Sequence, residues 1–152
     1  MIIESTRLGK LEVSQEDIIH FSKGIPGFPG EREFALLPCE PNSPFAFMQS
    51  VIEPNLTFLV VEPFAFFVEY EFSLEEEIVA DLKLTEDNPP YIFNIVTIPE
   101  KSDEMTANLL APIVLNLRSR SAQQIVLEKS LYHTRHRLFP EGIPNLENKG
   151  GR

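Results

Sequence analysis

The sequence predicts a mostly β fold, a small antiparallel sandwich or barrel in a single domain, with one or two short helices. Three observations carry this expectation. Short apolar runs rich in Val, Ile, Phe, Tyr and Thr recur along the chain, punctuated by Pro, Gly and Asn. The 13 prolines belong at strand ends, bulges and edges. Helix signals occur at two places only, each a serine followed three residues later by an acid.

In chain order, KLEV (10–13) is a short alternating strand. Ser14 with Asp17 opens a helix over SQEDIIHF by a capping box. The glycines of KGIPGFPG (23–30) are spaced three apart, at Gly24, Gly27 and Gly30, and no Lys-Ser/Thr follows. That is neither a dinucleotide fingerprint nor a phosphate loop; turn chemistry between strands explains it. Strands follow at EFALLP (33–38), FAFMQSV (45–51), LTFLVVE (56–62) and FFVEYEF (66–72). In the last of these, Glu69 and Glu71 take one side and Val68, Tyr70 and Phe72 the other. Ser73 with Glu76 starts a second helix, SLEEEIVADLKL, on which Leu74, Ile78, Val79 and Leu82 make an apolar stripe. Its first turn holds Glu75, Glu76 and Glu77, where the helix dipole favours anions. YIFNIVTIP (91–99), PIVLNLR (112–118) and AQQIVLEK (122–129) complete the strands, the last two joined by a glycine-free turn near Arg118–Ser121. Phe47, Phe58, Val60, Ile95, Val96, Ile113, Leu115 and Val126 are the expected core. The domain is expected to span 1–138. The tail 139–152, with two prolines and three glycines, is expected to be loosely ordered.

Charge narrows the function classes. The net charge is −10, and it is unevenly placed. Residues 1–117 hold 20 acids against 6 bases, whereas 118–152 hold 7 bases against 3 acids. From Glu53 to Asp87 there are ten acids and one base, Lys83. A body this acidic repels phosphate chains, since nucleic-acid affinity comes from cations that displace counterions. Direct nucleic-acid binding is disfavoured, and a basic protein partner is favoured. The single cysteine, Cys39, points to a reducing compartment. MIIESTRLGKLEV has no basic region followed by a long apolar run, so it is not expected to act as a signal peptide. The longest mostly apolar run, ANLLAPIVLNL (107–117), is too short to cross a bilayer. A cytoplasmic protein without membrane contact is expected.

The residues give no chemistry to build an enzyme on. Cys39 stands beside Glu40, which opposes the lowered pKa a nucleophilic thiol needs. His133 and His136 in HTRH lack a cysteine pair or acidic ligand set, and Arg135 and Arg137 beside them would repel a cation. No cofactor is implied. Asn108, interrupting an apolar segment, is expected to hydrogen-bond backbone where the chain enters a strand, with partner contact as a second role.

The motifs KGIPGF (23–28), PFAFMQSVIEPNLTFLVVEPF (44–64), IVTIP (95–99), TANLLAPIVLN (106–116) and YHTRH (132–136), taken in order, resemble the flagellar assembly factor FliW family. The likeness runs from about Leu8 to His136. It implies a compact β-barrel-like fold and no catalysis. It also implies two protein partners: flagellin before export, and the RNA-binding translational repressor CsrA once flagellin has left. A dedicated flagellin export chaperone without a regulatory role is the alternative. On this resemblance Glu69 and Glu71, with Glu53 close by if their strands pair, would face the RNA regulator. Arg135 and Arg137, with Arg118 and Arg120, would serve a different partner, with flagellin the candidate.

Overall fold

The computed structural model describes residues 1–141. Eleven strands carry the described chain: β1 (Ile2–Ser5), β2 (Gly9–Glu12), β3 (Ile18–Phe21), β4 (Glu33–Pro38), β5 (Phe45–Ser50), β6 (Thr57–Val61), β7 (Tyr91–Thr97), β8 (Thr106–Ala107), β9 (Ile113–Asn116), β10 (Ser121–Gln124) and β11 (His136–Arg137). One α-helix, α1 (Glu76–Asp81), lies between β6 and β7.

Seven strands close into a barrel in the order β3-β4-β5-β6-β7-β9-β10 and back to β3. Six of the contacts are antiparallel; β10 and β3 meet in parallel, Ser121 opposite His20 and Ala122 opposite Phe21. Closure removes the exposed edges that an open sheet of this size would carry. β7 makes the closure possible by serving two partners along one edge. Its first half pairs with β9 (Phe93 opposite Ile113), and its second half with β8 (Val96 opposite Ala107). β11 then adds to β8.

The period-2 alternation of strands divides the core in two. Phe21, Phe34, Met48, Val60, Phe93, Ile113 and Leu115 point into the barrel, with Phe58 and Ile95 packed against them. Neighbouring residues of opposite parity, Val61 and Val96, point outward into a second cluster with Tyr70, Ala107, Leu109, Leu127 and Leu138. Segments 63–72, 105–110 and 125–139 form a lobe that covers this outer face. Phe139 belongs to that lobe, its ring 5.5 Å from Phe66. The remainder of the expected loose tail, 142–152, lies outside the described residues.

Five expectations need correction. Residues 66–72 do not form a strand: the segment has turns and no ladder partner. The barrel wall is already closed, so these aromatics dock by their side chains. Phe66, Phe67, Tyr70 and Phe72 pack on the second cluster while Val68 stays 81% exposed. Val126 is not core but 59% exposed. The chain has left the barrel by then, and Ile125 and Leu127 take the packed side of an extended stretch. Phe47 is only partly buried on the outward parity, below the Arg7 guanidinium at 6.0 Å, while Met48 fills the interior.

The Ser14 signal makes one 3-10 turn, Gln15–Asp17, not a helix through Phe21. Ser14 N–H still donates to the Asp17 carboxylate at 2.9 Å, but Ile18 and Ile19 are β-branched and buried, and they pair with β4. In the second helix the cap is Glu75 rather than Ser73, while Ile78 and Leu82 bury as the stripe required. Gly24 shows why the glycine run is there: its φ is +68°, and a Cβ would stand 2.6 Å from the Pro29 carbonyl oxygen.

Candidate partner-binding surface

Tyr70 organises the lobe on the barrel's outer face. It is 4% exposed, and its hydroxyl donates to the Leu109 carbonyl at 2.7 Å. The Asn94 amide donates to that hydroxyl at 3.3 Å and to the Asn108 carbonyl at 2.9 Å. Burial pushes the Tyr70 hydroxyl up to about 12, the Asn94 hydrogen bond opposing, so it stays a neutral donor. The Tyr132 ring meets Tyr70 edge-on at 4.7 Å, and the Tyr132 hydroxyl accepts from Glu71 N–H at 3.0 Å. Buried Tyr70 thus holds exposed Glu69 and Glu71 on either side of itself.

Of the residues singled out by the sequence, this geometry gathers five. Glu69 and Glu71 lie beside the 130–137 segment that carries Arg135 and Arg137. Phe67 packs edge-on against His136 at 6.0 Å, and Leu110 N–H donates to the His133 carbonyl at 3.2 Å. Asn108 joins the group through the Asn94 amide, which donates to both the Asn108 carbonyl and the Tyr70 hydroxyl. The acidic and basic segments, far apart in sequence, are therefore neighbours, yet no ion pair joins them among the described residues. Glu53 does not join the group. It lies in the β5–β6 connection, beyond the Gln49–Thr57 end of that hairpin, whereas the lobe leaves from the Phe45–Val61 end. The expected pairing with the 66–72 segment fails because that segment is not a strand.

Asn108 does what an amide interrupting an apolar segment must do. Its Oδ1 accepts from Leu110 N–H and Ala111 N–H, both at 3.1 Å, capping the turn that leads into β9. Asn108→Ala is expected to cost about 1–2 kcal/mol, since Ala111 N–H loses its acceptor in a partly buried place and Leu110 N–H keeps only the His133 carbonyl. Urea denaturation measures it, and Asn108→Asp, which keeps the acceptor, should recover most of the loss.

The polar groups near the lobe do not assemble a reaction centre. His136 Nε2 accepts from His133 N–H at 2.9 Å, and the two rings stack at 3.7 Å. Burial, then the neighbouring His133, lowers the His136 pKa. Among the described residues no three His, Cys, Asp or Glu side chains converge as a metal site. Burial, then the Glu40 charge, raises the pKa of Cys39, the wrong direction for a nucleophile. At one barrel mouth a cleft of about 480 Å³ includes Glu62, Tyr91 and Arg120. Burial, then Glu62, pushes the Tyr91 hydroxyl far up, so it has no acid–base role near neutral pH.

Sequence reasoning missed Tyr70 and Tyr132 as the frame of this surface. A tyrosine in an acidic stretch carries no signal until its hydroxyl is seen to reach a carbonyl 39 residues away. No helix of the described chain is long and apolar enough to cross a membrane.

Comparison with known proteins agrees with the motif series. The FliW protein family model matches residues 2–138. The chain is 51% identical to the flagellar assembly factor FliW of Desulfitobacterium hafniense (strain Y51) over 152 residues, covering 100% of both chains. It is 47% identical to that of Heliobacterium modesticaldum (strain ATCC 51547 / Ice1), covering 99% of each. A crystal structure of the flagellar assembly factor FliW superposes with a TM-score of 0.85 at 39% identity, covering 94% of this chain and 100% of the other.

Proposed function

The chain belongs to the FliW family, and from that premise we propose that it serves flagellar assembly as a cytoplasmic, non-catalytic module with two protein partners. One is flagellin, held before export. The other is a CsrA-type RNA-binding repressor, bound when flagellin has gone. Binding the repressor frees translation, so flagellin synthesis follows export.

The observation that carries the reading is the acidic, aromatic-framed lobe around Glu69 and Glu71. An RNA-binding repressor displays cations, so this lobe attracts it over long range and raises the rate of encounter. Once docked, the same carboxylates set negative charge beside the path of the RNA, which weakens phosphate binding there. The tightly held Tyr70 keeps those charges in place without an ordering cost at the moment of binding. Asn108, Arg135 and Arg137 lie on the same lobe and are proposed contacts; Glu53, on the far end of the barrel wall, is a separate steering charge at most.

A pull-down from an extract of flagellated cells, with this chain as bait, tests the proposal. Flagellin and the regulator are expected in separate complexes. Flagellin alone would reduce the protein to an export chaperone, and neither would contradict the proposal. Within that assay, Arg135→Glu with Arg137→Glu is expected to weaken flagellin capture about tenfold and to spare or strengthen capture of the basic regulator. Equal loss of both, with an unchanged circular dichroism spectrum, would mean one shared site.

A further inference from the structure

Past Gln124 the last barrel strand continues as extended chain bound, among the described residues, on one edge only. Ile125 N–H donates to the Pro112 carbonyl at 3.0 Å and Leu127 N–H to the Leu110 carbonyl at 2.8 Å. These bonds prolong the β9 side of the ladder. In an antiparallel pair, alternate residues turn their backbone groups to opposite edges. Gln124 and Val126 therefore present N–H and C=O on the other edge. β3 covers that edge only as far as Ala122 opposite Phe21. Beyond this point no described strand pairs with it.

Folds usually blunt such an edge with Pro, charge or a covering element. Here the stretch is Gln123-Gln124-Ile125-Val126-Leu127, without Pro or charge. Among the described residues it faces an open groove of about 790 Å³ rather than a cover. The groove's other wall is the start of α1 and the segment before it, with Glu71, Glu75 and Glu77. Glu128 adds a fourth carboxylate and Lys129 is the one cation in the lining. Phe72 and Ile78 lend apolar surface.

We propose that this edge takes up an extended segment of a partner protein as an added strand, one in which basic and apolar side chains alternate. Main-chain hydrogen bonds to Gln124 and Val126 would align the segment, as in other strand additions. Its apolar side chains meet Phe72, Ile78 and Val126, and its cations reach the carboxylates across the groove. The inference rests on the reading of this chain as a protein-binding module and adds the mode and chemistry of one contact.

The probe is an end-capped octapeptide alternating Val and Lys, titrated at low salt into the isotope-labelled protein and followed by NMR. The Gln124 and Val126 amides are expected to shift and their hydrogen exchange to slow by about tenfold. An octapeptide alternating Val and Glu should leave them unmoved. Val126→Pro removes an edge donor that has no acceptor among the described residues and is expected to abolish binding. Glu75→Lys with Glu77→Lys keeps the backbone edge and should weaken binding about tenfold. The proposal is overturned if the Lys peptide shifts other amides but not these, if both peptides bind alike, or if folded Val126→Pro still binds. Partner capture separates the two readings. If wild type binds the peptide but captures neither flagellin nor the regulator, only the proposed function fails. If folded Val126→Pro captures both as wild type does, only the added strand fails.

Discussion

Tyr70→Ala is expected to destabilise the protein by about 3–5 kcal/mol, the range for truncating a buried aromatic, and to free the acidic segment from the barrel. Three rings lose a neighbour at once: Tyr132, Phe72 at 5.3 Å and Phe64 at 6.0 Å. The Leu109 carbonyl, on a residue 1% exposed, loses its tyrosine donor. Residues 66–72 have no backbone ladder to fall back on, so side-chain docking is what fixes them. Tyr70→Phe separates the two contributions. It keeps the ring and drops the hydroxyl, for an expected loss of about 1–2 kcal/mol. Urea denaturation with limited proteolysis checks both. Tyr70→Ala should unfold at a clearly lower midpoint and be cleaved within 66–77 under native conditions. A midpoint equal to wild type would mean that the segment is held by something else.

Asn116→Leu is expected to cost about 3 kcal/mol, as for breaking a buried hydrogen-bond network. Asn116 is 2% exposed and uses both ends of its amide. Its Nδ2 donates to the Leu82 carbonyl at 2.7 Å at the end of α1. Its Oδ1 accepts from Arg118 N–H at 2.9 Å, Ser119 N–H at 3.1 Å and the Asn88 amide at 2.9 Å. One side chain thus ties the β9–β10 turn to α1 and to the 85–88 turn. It also shapes a glycine-free hairpin in which Arg120 takes a φ of +64°. Leucine keeps the branched skeleton of the side chain but satisfies none of these groups, so each loses its partner. Chemical denaturation should place Asn116→Leu well below Asn108→Ala. Equal midpoints would show that water replaces the amide at little cost.

The barrel was largely legible because its strands announce themselves. Glu33–Pro38 forms over the predicted span, and β5, β6, β7 and β9 fall within theirs. These segments are short apolar runs bounded by turn residues and rich in β-branched and aromatic side chains, which is what local pattern reports; both of their sides pack, and β9 is buried at all four positions. The two-residue strands β8 and β11 carry no pattern of their own and exist because β7 has a free half-edge. β3 was hidden behind a real capping signal: Ser14 and Asp17 do cap a turn, but tertiary pairing takes Ile18–Phe21 away from the helix. Residues 66–72 are the most instructive failure. The alternation of acid and aromatic is genuine, and Tyr70 is in and Glu69 and Glu71 out. A strand and a docked irregular segment both produce it, and only barrel closure decides between them. The site followed the same division. Asn108's backbone role could be read from one polar residue in an apolar run. That the acidic and basic segments are neighbours could not, because Tyr132 joins them across 61 residues.

The proposed function rests on charge steering by the lobe, and the rate of association with a CsrA-type regulator measures it directly. Stopped-flow mixing across a salt series should show wild-type association slowing steeply as salt rises, because exposed charges are screened within about 10 Å at 0.1 M. Glu69→Lys with Glu71→Lys, folded and with Tyr70 intact, should associate about tenfold more slowly at low salt and with a flatter salt dependence. Association at the wild-type rate at every salt concentration would contradict the proposal and leave the acidic lobe a solvated face.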